Sequence, residues 1–261
     1  MSHIVIIGFT IIFLATTAGS ALVYFFKRDI PKRTNAIILG FAAGVMIAAS
    51  VWSLLIPSIN AAESRFGTWS WIPATVGFLL GGAFLVLLDH LLPHFHPGTG
   101  HEEGPHLKVP KSTRLFLAVT IHNIPEGLAV GLAYGAAAVN GNIDAYYAAL
   151  GLAIGMSLQN FPEGAAIALP MKVATGSKHK AFLFGMGSGT VEPIAATIGY
   201  LLASEVAILH PWMLGFAAGA MIFVVAEDLI PDSNISEHPH AGTWGVMFGF
   251  VLMMILDVAL G

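Results

Sequence analysis

The chain has 261 residues, of which 56% are hydrophobic and 10% charged, with a formal net charge of −4 and no cysteine. Soluble domains carry about 25% charged residues, and a mean hydropathy of +0.78 makes lipid the solvent for most of this chain. Disulfides, thiolate metal sites and iron–sulfur clusters are excluded, and no basic footprint suggests a nucleic-acid partner.

Eight apolar runs of about 20 residues, the length a helix needs to cross a bilayer, are predicted in chain order. They cover 4–26, 36–57, 72–92, 113–136, 145–169, 180–203, 210–230 and 241–260. Only helices and closed barrels satisfy every backbone group in lipid, and runs this long exclude barrel strands. The expected fold is therefore an all-α polytopic membrane protein, with residues 1–261 as a single transmembrane domain. The first run follows Met1-Ser2-His3 without a basic leader and reads as a retained span.

Of the 11 Lys and Arg residues, all but Arg65 fall in or beside the loops after spans 1, 3 and 5. The positive-inside rule then puts those loops in the cytoplasm and both termini outside, the expected location being the cell's inner membrane. The loop 231–240 has neither Lys nor Arg and dissents mildly. Span 3 leads into a cytoplasmic loop, 93–112, that carries His94, His96, His101 and His106 with Glu102 and Glu103. Its glycines and prolines would hold metal loosely and without fixed geometry, so a solvated linker is its expected primary state. The outer side carries Glu63, Asp144, Glu205 and Asp257 against Arg65, either an acidic mouth that would concentrate cations or a solvated surface left over by the positive-inside bias.

Gly40-Phe41-Ala42-Ala43-Gly44-Val45-Met46-Ile47 in span 2 recurs as Gly215-Phe216-Ala217-Ala218-Gly219-Ala220-Met221-Ile222 in span 7, and both runs end in Leu-Ile-Pro, at Pro57 and Pro231. The two spans cross in opposite directions, which predicts inverted repeats, spans 1–3 against 6–8, with spans 4 and 5 as the central pair. Such repeats are common in secondary transporters, whose sites lie near the midplane between the repeats.

Span 4 contains His122-Asn123-Ile124-Pro125-Glu126-Gly127 and span 5 contains Gln159-Asn160-Phe161-Pro162-Glu163-Gly164. His122 and Glu126 stand at i and i+4, on one helical face, as do Gln159 and Glu163. Asn123 and Asn160 lie about 100° around and can still border the same cavity. Pro125 and Pro162 each remove a backbone donor, which predicts kinks beside the polar residues. Span 6 adds Glu192-Pro193, again a carboxylate beside a helix break. A carboxylate at the bilayer centre costs at least ~2.5 kcal/mol on insertion scales, so protons, cationic partners or a metal must compensate. Spans 4, 5 and 6 contain no Lys or Arg beyond their cytoplasmic ends. The nitrogen and oxygen donors suit zinc, iron, manganese or cadmium.

These motifs resemble those of the ZIP family of divalent metal transporters, in its prokaryotic GufA-like branch. The likeness covers essentially the whole chain and extends to Gly-Ser-Gly-Thr-Val-Glu-Pro around Glu192, to the end of span 3 and to Glu227-Asp228-Leu229-Ile230-Pro231-Asp232. It implies a binuclear intramembrane centre. One position would use His122, Glu126, Gln159, Glu163 and Glu192. A second would use Asn123 and Asn160 with the three carboxylates as shared ligands. Some relatives have Asp in place of Asn160, and a neutral amide there weakens a dication site. The resemblance also implies uptake into the cytoplasm, elevator-type alternating access and a homodimer.

Asp89 and His90 at the end of span 3, Glu227 and Asp228 at the end of span 7, and His94 and His96 form an expected exit path of weak, exchangeable ligands. Zinc, or cadmium, iron or manganese, is then cargo and not a cofactor, and no enzyme activity is expected. An intramembrane zinc hydrolase would use His-Glu-x-x-His, which this chain lacks. A proton-coupled carrier of another solute would use the carboxylates but would not need His122, Asn123, Gln159 and Asn160 to converge. A metal channel without alternating access is the third rival.

Overall fold

The structure is a computed structural model that describes residues 2–25, 31–91, 94–95, 102–103, 111–141, 143–206, 208–234 and 240–260. Helix α1 (Ser2–Ala21) ends in a 3-10 turn at Leu22–Tyr24. Next come α2 (Lys32–Ala49), a π segment (Ser50–Leu55) and α3 (Ile56–Phe66), then α4 (Trp71–Leu91). A two-residue antiparallel pair, β1 (His94–Phe95) with β2 (Glu102–Glu103), sets His94 opposite Glu103. Helices α5 (Lys111–Asn140) and α6 (Ile143–Thr175) are the longest, followed by α7 (Lys178–Gly189) and α8 (Val191–Glu205). The chain continues through α9 (His210–Val224), a second π segment (Val225–Leu229) and α10 (Ile230–Ser233) to α11 (Ala241–Leu260).

Among the described residues five stretches are long and apolar enough to cross a membrane: Ser2–Tyr24, Lys32–Trp69, Trp71–Leu88, His210–Ser233 and Ala241–Ala259. They coincide with expected spans 1, 2, 3, 7 and 8, and the protein is an all-α membrane protein. Expected spans 4 and 5 are helical too, as α5 and α6, but they carry the polar motifs. Span 6 is divided, because α7 stops at Gly189 and α8 starts at Val191. Pro125 lies inside α5 and Pro162 inside α6 without ending either helix.

Both copies of the sequence repeat contain a π segment at the same place, just before the Ile-Pro step. A proline N–H is missing from the helical ladder, so the carbonyl four residues back has lost its usual donor. The ladder changes register ahead of it: the Ile56 N–H donates to Val51 O and the Ile230 N–H to Val225 O, each five residues back. From the first glycine to the proline the second copy is one residue shorter, Gly215 to Pro231 against Gly40 to Pro57. The π segments absorb the difference, with six residues in the first and five in the second.

The most extensive helix pairings are α2 with α11, α5 with α8, α1 with α6, and α4 with α9. The repeat glycines sit at two of these crossings, Gly40 and Gly44 against α11, Gly215 and Gly219 against α4. The pairings divide the molecule into a set of α1, α5, α6, α7 and α8 and a set of α2, α3, α4, α9, α10 and α11. The sets meet where α5 packs on α9 and α6 on α2 and α11.

Candidate metal centre

Helices α5, α6 and α8 deliver the motif residues to one buried region beside α1. Asn123, Glu126, Gln159, Asn160 and Glu192 are all buried, with Glu192 at 0% exposure and Glu126 at 2%. Glu163 is half-buried. Glu192 stands in the first turn of α8, where free backbone N–H groups and the helix dipole favour a negative charge. Pro193 follows it in that same turn, where a missing N–H costs no hydrogen bond.

Close helix approach makes this convergence possible. A Cβ on Gly127 would stand 2.3 Å from Glu192 O, and one on Gly164 would stand 2.0 Å from Thr16 O. Each Pro-Glu-Gly glycine therefore lets its helix lie directly on the backbone of its neighbour, α8 in one case and α1 in the other.

The polar side chains form one connected network. Gln159 Nε2 donates to Glu126 Oε2 at 2.5 Å and contacts Asn160 Oδ1. Asn160 Nδ2 donates to Glu192 Oε2. Asn123 Nδ2 donates to Ser188 O at 3.1 Å and reaches Glu192 Oε1 at 3.4 Å. Thr16 Oγ1 donates to Glu192 Oε1 at 2.8 Å. Glu126 lies within electrostatic reach of both Glu163 and Glu192. Glu126 and Glu192 thus accept hydrogen bonds from neutral amide and hydroxyl donors. Hydrogen bonds of this kind satisfy lone pairs that lipid cannot.

Gln159 and Asn160 stand between the acidic groups. Among the described residues no three His, Asp or Glu side chains are grouped closely enough to hold a metal ion. One acceptor in the network is open, since Asn123 Oδ1 is buried without a hydrogen-bond partner.

His122 Nε2 lies 3.2 Å from Asp228 Oδ2, a contact between α5 of one helix set and the π segment of the other. Among the described side chains of the expected exit path, Asp228 reaches the motif residues. Glu227 is exposed, and exposed His90 pairs its Nδ1 with Val86 O of its own helix at 2.7 Å. The side chains of Asp89 and His94 and the whole of His96, His101 and His106 lie outside the described residues. So does most of the loop 93–112. Of the expected acidic mouth, Glu63 and Asp144 are exposed, while Asp257 is half-buried and accepts a hydrogen bond from Ser53 of the first π segment.

Thr16 and the Ser188 carbonyl were not legible as site members. Thr16 is 176 positions from Glu192 and sits in an apolar run without a motif, and no periodicity links a residue to a partner that far away.

The family described as ZIP Zinc transporter matches residues 112–257, more than half of the chain. The chain belongs to the ZIP family. It is 35% identical to zinc transporter ZIP11 of Homo sapiens, over 94% of this chain and 94% of that protein. It is 38% identical to zinc transporter ZIPB of Bordetella bronchiseptica, over 95% of this chain and 78% of that protein. Zinc transporter GufA of Myxococcus xanthus is 33% identical, over 94% of each chain. The stretch that matches the ZIP family runs from α5 into α11 and includes both Pro-Glu-Gly motifs and Glu192, whereas Thr16 precedes it.

Proposed function

We propose that this ZIP chain carries divalent transition-metal cations, zinc first, across the membrane into the cytoplasm. The observation that carries the reading is the buried network of Glu126, Gln159, Asn160, Glu192 and Asn123, acidic, without a basic partner in it, and with Asn123 Oδ1 open. A dication would supply the compensating charge that neutral hydrogen-bond donors do not. Gln159 would release Glu126, and His122, Glu126, Gln159, Glu163 and Glu192 would close around the metal. Asn123 and Asn160 would serve a second position with the carboxylates. The relatives named as zinc transporters support zinc as cargo, and a family of transporters supports no enzymatic reading. N/O donor sets of this type bind zinc, and a site that loads and unloads must exchange ligands readily.

The architecture that fits this role has eight spans, with α5, α6 and the α7–α8 pair crossing as spans 4, 5 and 6. An inverted repeat relates spans 1–3 to 6–8 and exchanges 4 with 5. Under that operation the α2–α11 pairing maps onto α9–α4, and α1–α6 onto α8–α5, and these are the four strongest pairings in the fold. Alternating access would then move the α1, α5, α6, α7 and α8 set against the other in an elevator-like step. The protein would sit in the inner membrane with both termini outside, as a homodimer.

Purified protein in proteoliposomes is expected to admit zinc to a trapped zinc-sensitive dye. Vesicle acidification without zinc entry would instead favour a proton-driven carrier of another solute. Crystals soaked in zinc are expected to show an anomalous peak between α5 and α6, and a peak elsewhere would overturn the site. Asp228→Asn removes the charge facing His122 across the two helix sets. It is expected to slow zinc flux about 10-fold, the usual range for a ligand-orienting partner, while equilibrium zinc binding by calorimetry is retained.

A further inference from the structure

Thr16 lies fully buried in α1, at the crossing with α6 and beside the end of α7. Its surroundings hold it on two sides. Gly164 packs on its carbonyl, and a Cβ on Gly189 would meet both its Cβ and its Cγ2 at 2.9 Å. The backbone and methyl group are thus fixed by close contacts, and the remaining substituent, the hydroxyl, points at Glu192.

A helical Ser or Thr hydroxyl ordinarily donates to the carbonyl four residues back. Others in this chain do so at short range: Thr10 to Ile6 O at 2.7 Å, Ser50 to Met46 O at 2.7 Å and Thr120 to Phe116 O at 2.6 Å. Thr16 differs. Its distance to Ile12 O is 3.4 Å, while Glu192 Oε1 is at 2.8 Å. A hydroxyl has one proton, and the geometry gives it to the carboxylate.

Glu192 also accepts from Asn160 on Oε2 and faces Asn123 on Oε1. Both amides belong to the proposed metal site, so both must reorient when cargo binds. Among the described residues, Thr16 is then the remaining side-chain donor that anchors Glu192. Its place in the fold matches that role. Gly127 lies on the backbone of Glu192 as Gly164 lies on the backbone of Thr16, so the two residues occupy equivalent positions on helices related by the proposed repeat. One half supplies the carboxylate and the other supplies the hydroxyl that holds it.

We propose that Thr16 is a positioning residue for metal transport, its hydroxyl fixing Glu192 Oε1 so that Oε2 faces the cargo. The proposal rests on the reading of Glu192 as a cargo ligand. Groups that orient a metal ligand typically contribute 10- to 100-fold in affinity or activity.

The test compares Thr16→Val, Thr16→Ala and Thr16→Ser with the wild type, by zinc flux in proteoliposomes over a range of zinc concentrations. Val keeps the volume and loses the hydroxyl, Ala loses both, and Ser keeps the hydroxyl without the methyl. The half-saturating zinc concentration is expected to rise about 10-fold in Thr16→Val and Thr16→Ala, with a smaller fall in maximal rate, and Thr16→Ser is expected to recover most of the loss. A folded Thr16→Val or Thr16→Ala protein within twofold of the wild-type half-saturation would overturn the proposal. So would Thr16→Ser as impaired as Thr16→Val, because the methyl packing would then account for the effect. If Val proves too tight beside Glu192 and fails to fold, Ala and Ser decide between the two. Failure of the wild type itself to carry zinc would instead reject the transport reading, independently of the variants.

Discussion

Glu163→Ala and His122→Ala are each expected to reduce zinc flux in proteoliposomes to the level of empty vesicles, with elution profile and helical signal unchanged. Glu163 is half-buried at the region where α5, α6 and α8 converge, so truncation removes a negative charge without unpacking a helix crossing. The loss of a metal-binding carboxylate exceeds that of an orienting partner, so at least about 100-fold is expected. His122 contributes the imidazole of the proposed site, and its truncation also removes the ring that now lies 3.2 Å from Asp228. The measurement is initial zinc entry per reconstituted protein, with calorimetric zinc binding in parallel. Near-normal entry in either variant would remove that residue from the transport site, and normal entry in both would remove the site from between α5 and α6.

Gly164→Ala is expected to act through the fold. Its Cβ would stand 2.0 Å from Thr16 O and 3.0 Å from Ser20 N, both backbone atoms that no rotamer change can displace. Helix α1 would have to move away from α6, breaking the Ser20 hydroxyl contact to Gly164 O at 3.2 Å and drawing Thr16 from Glu192. Overpacking at a backbone crossing destabilises by about 3 kcal/mol, a large part of the stability of a typical domain. A clear fall in the melting temperature of the detergent-solubilised protein should accompany lost transport. Gly67→Ala serves as the contrast, since nothing lies within 4 Å of the added Cβ there. Gly67 has φ +53°, so Ala is strained locally, and a smaller effect without loss of the helix crossing is expected. Unaltered stability in Gly164→Ala would mean that α1 and α6 are not in contact as described.

The motif residues show where sequence reasoning reaches and where it stops. The i, i+4 spacing put His122 with Glu126 and Gln159 with Glu163 on common faces, because helical periodicity is a local property. The same spacing could not say that His122 would be drawn to Asp228, a residue of the other helix set. The repeat was visible as matched glycines and prolines. That the unequal spacing within it is absorbed by two π segments depends on the hydrogen-bond register, which residue identities do not record. Pro125 and Pro162 were expected to kink their helices, and both helices run on through them without ending. The interruption that does occur, at Thr190 between α7 and α8, places Glu192 in a first turn.

By itself the sequence determined that this is a helical membrane protein with carboxylates in apolar segments that need compensation. Apolar run length, helical period and the absence of basic partners are all properties of the linear chain. Tertiary structure decided which donors those carboxylates meet: the amides of Gln159, Asn160 and Asn123 and the hydroxyl of Thr16. The physical reason is that a carboxylate desolvated by helix packing must take its hydrogen bonds from whatever donor the packing brings within about 3 Å. Here that proximity is created by glycines at helix crossings, between residues far apart in sequence.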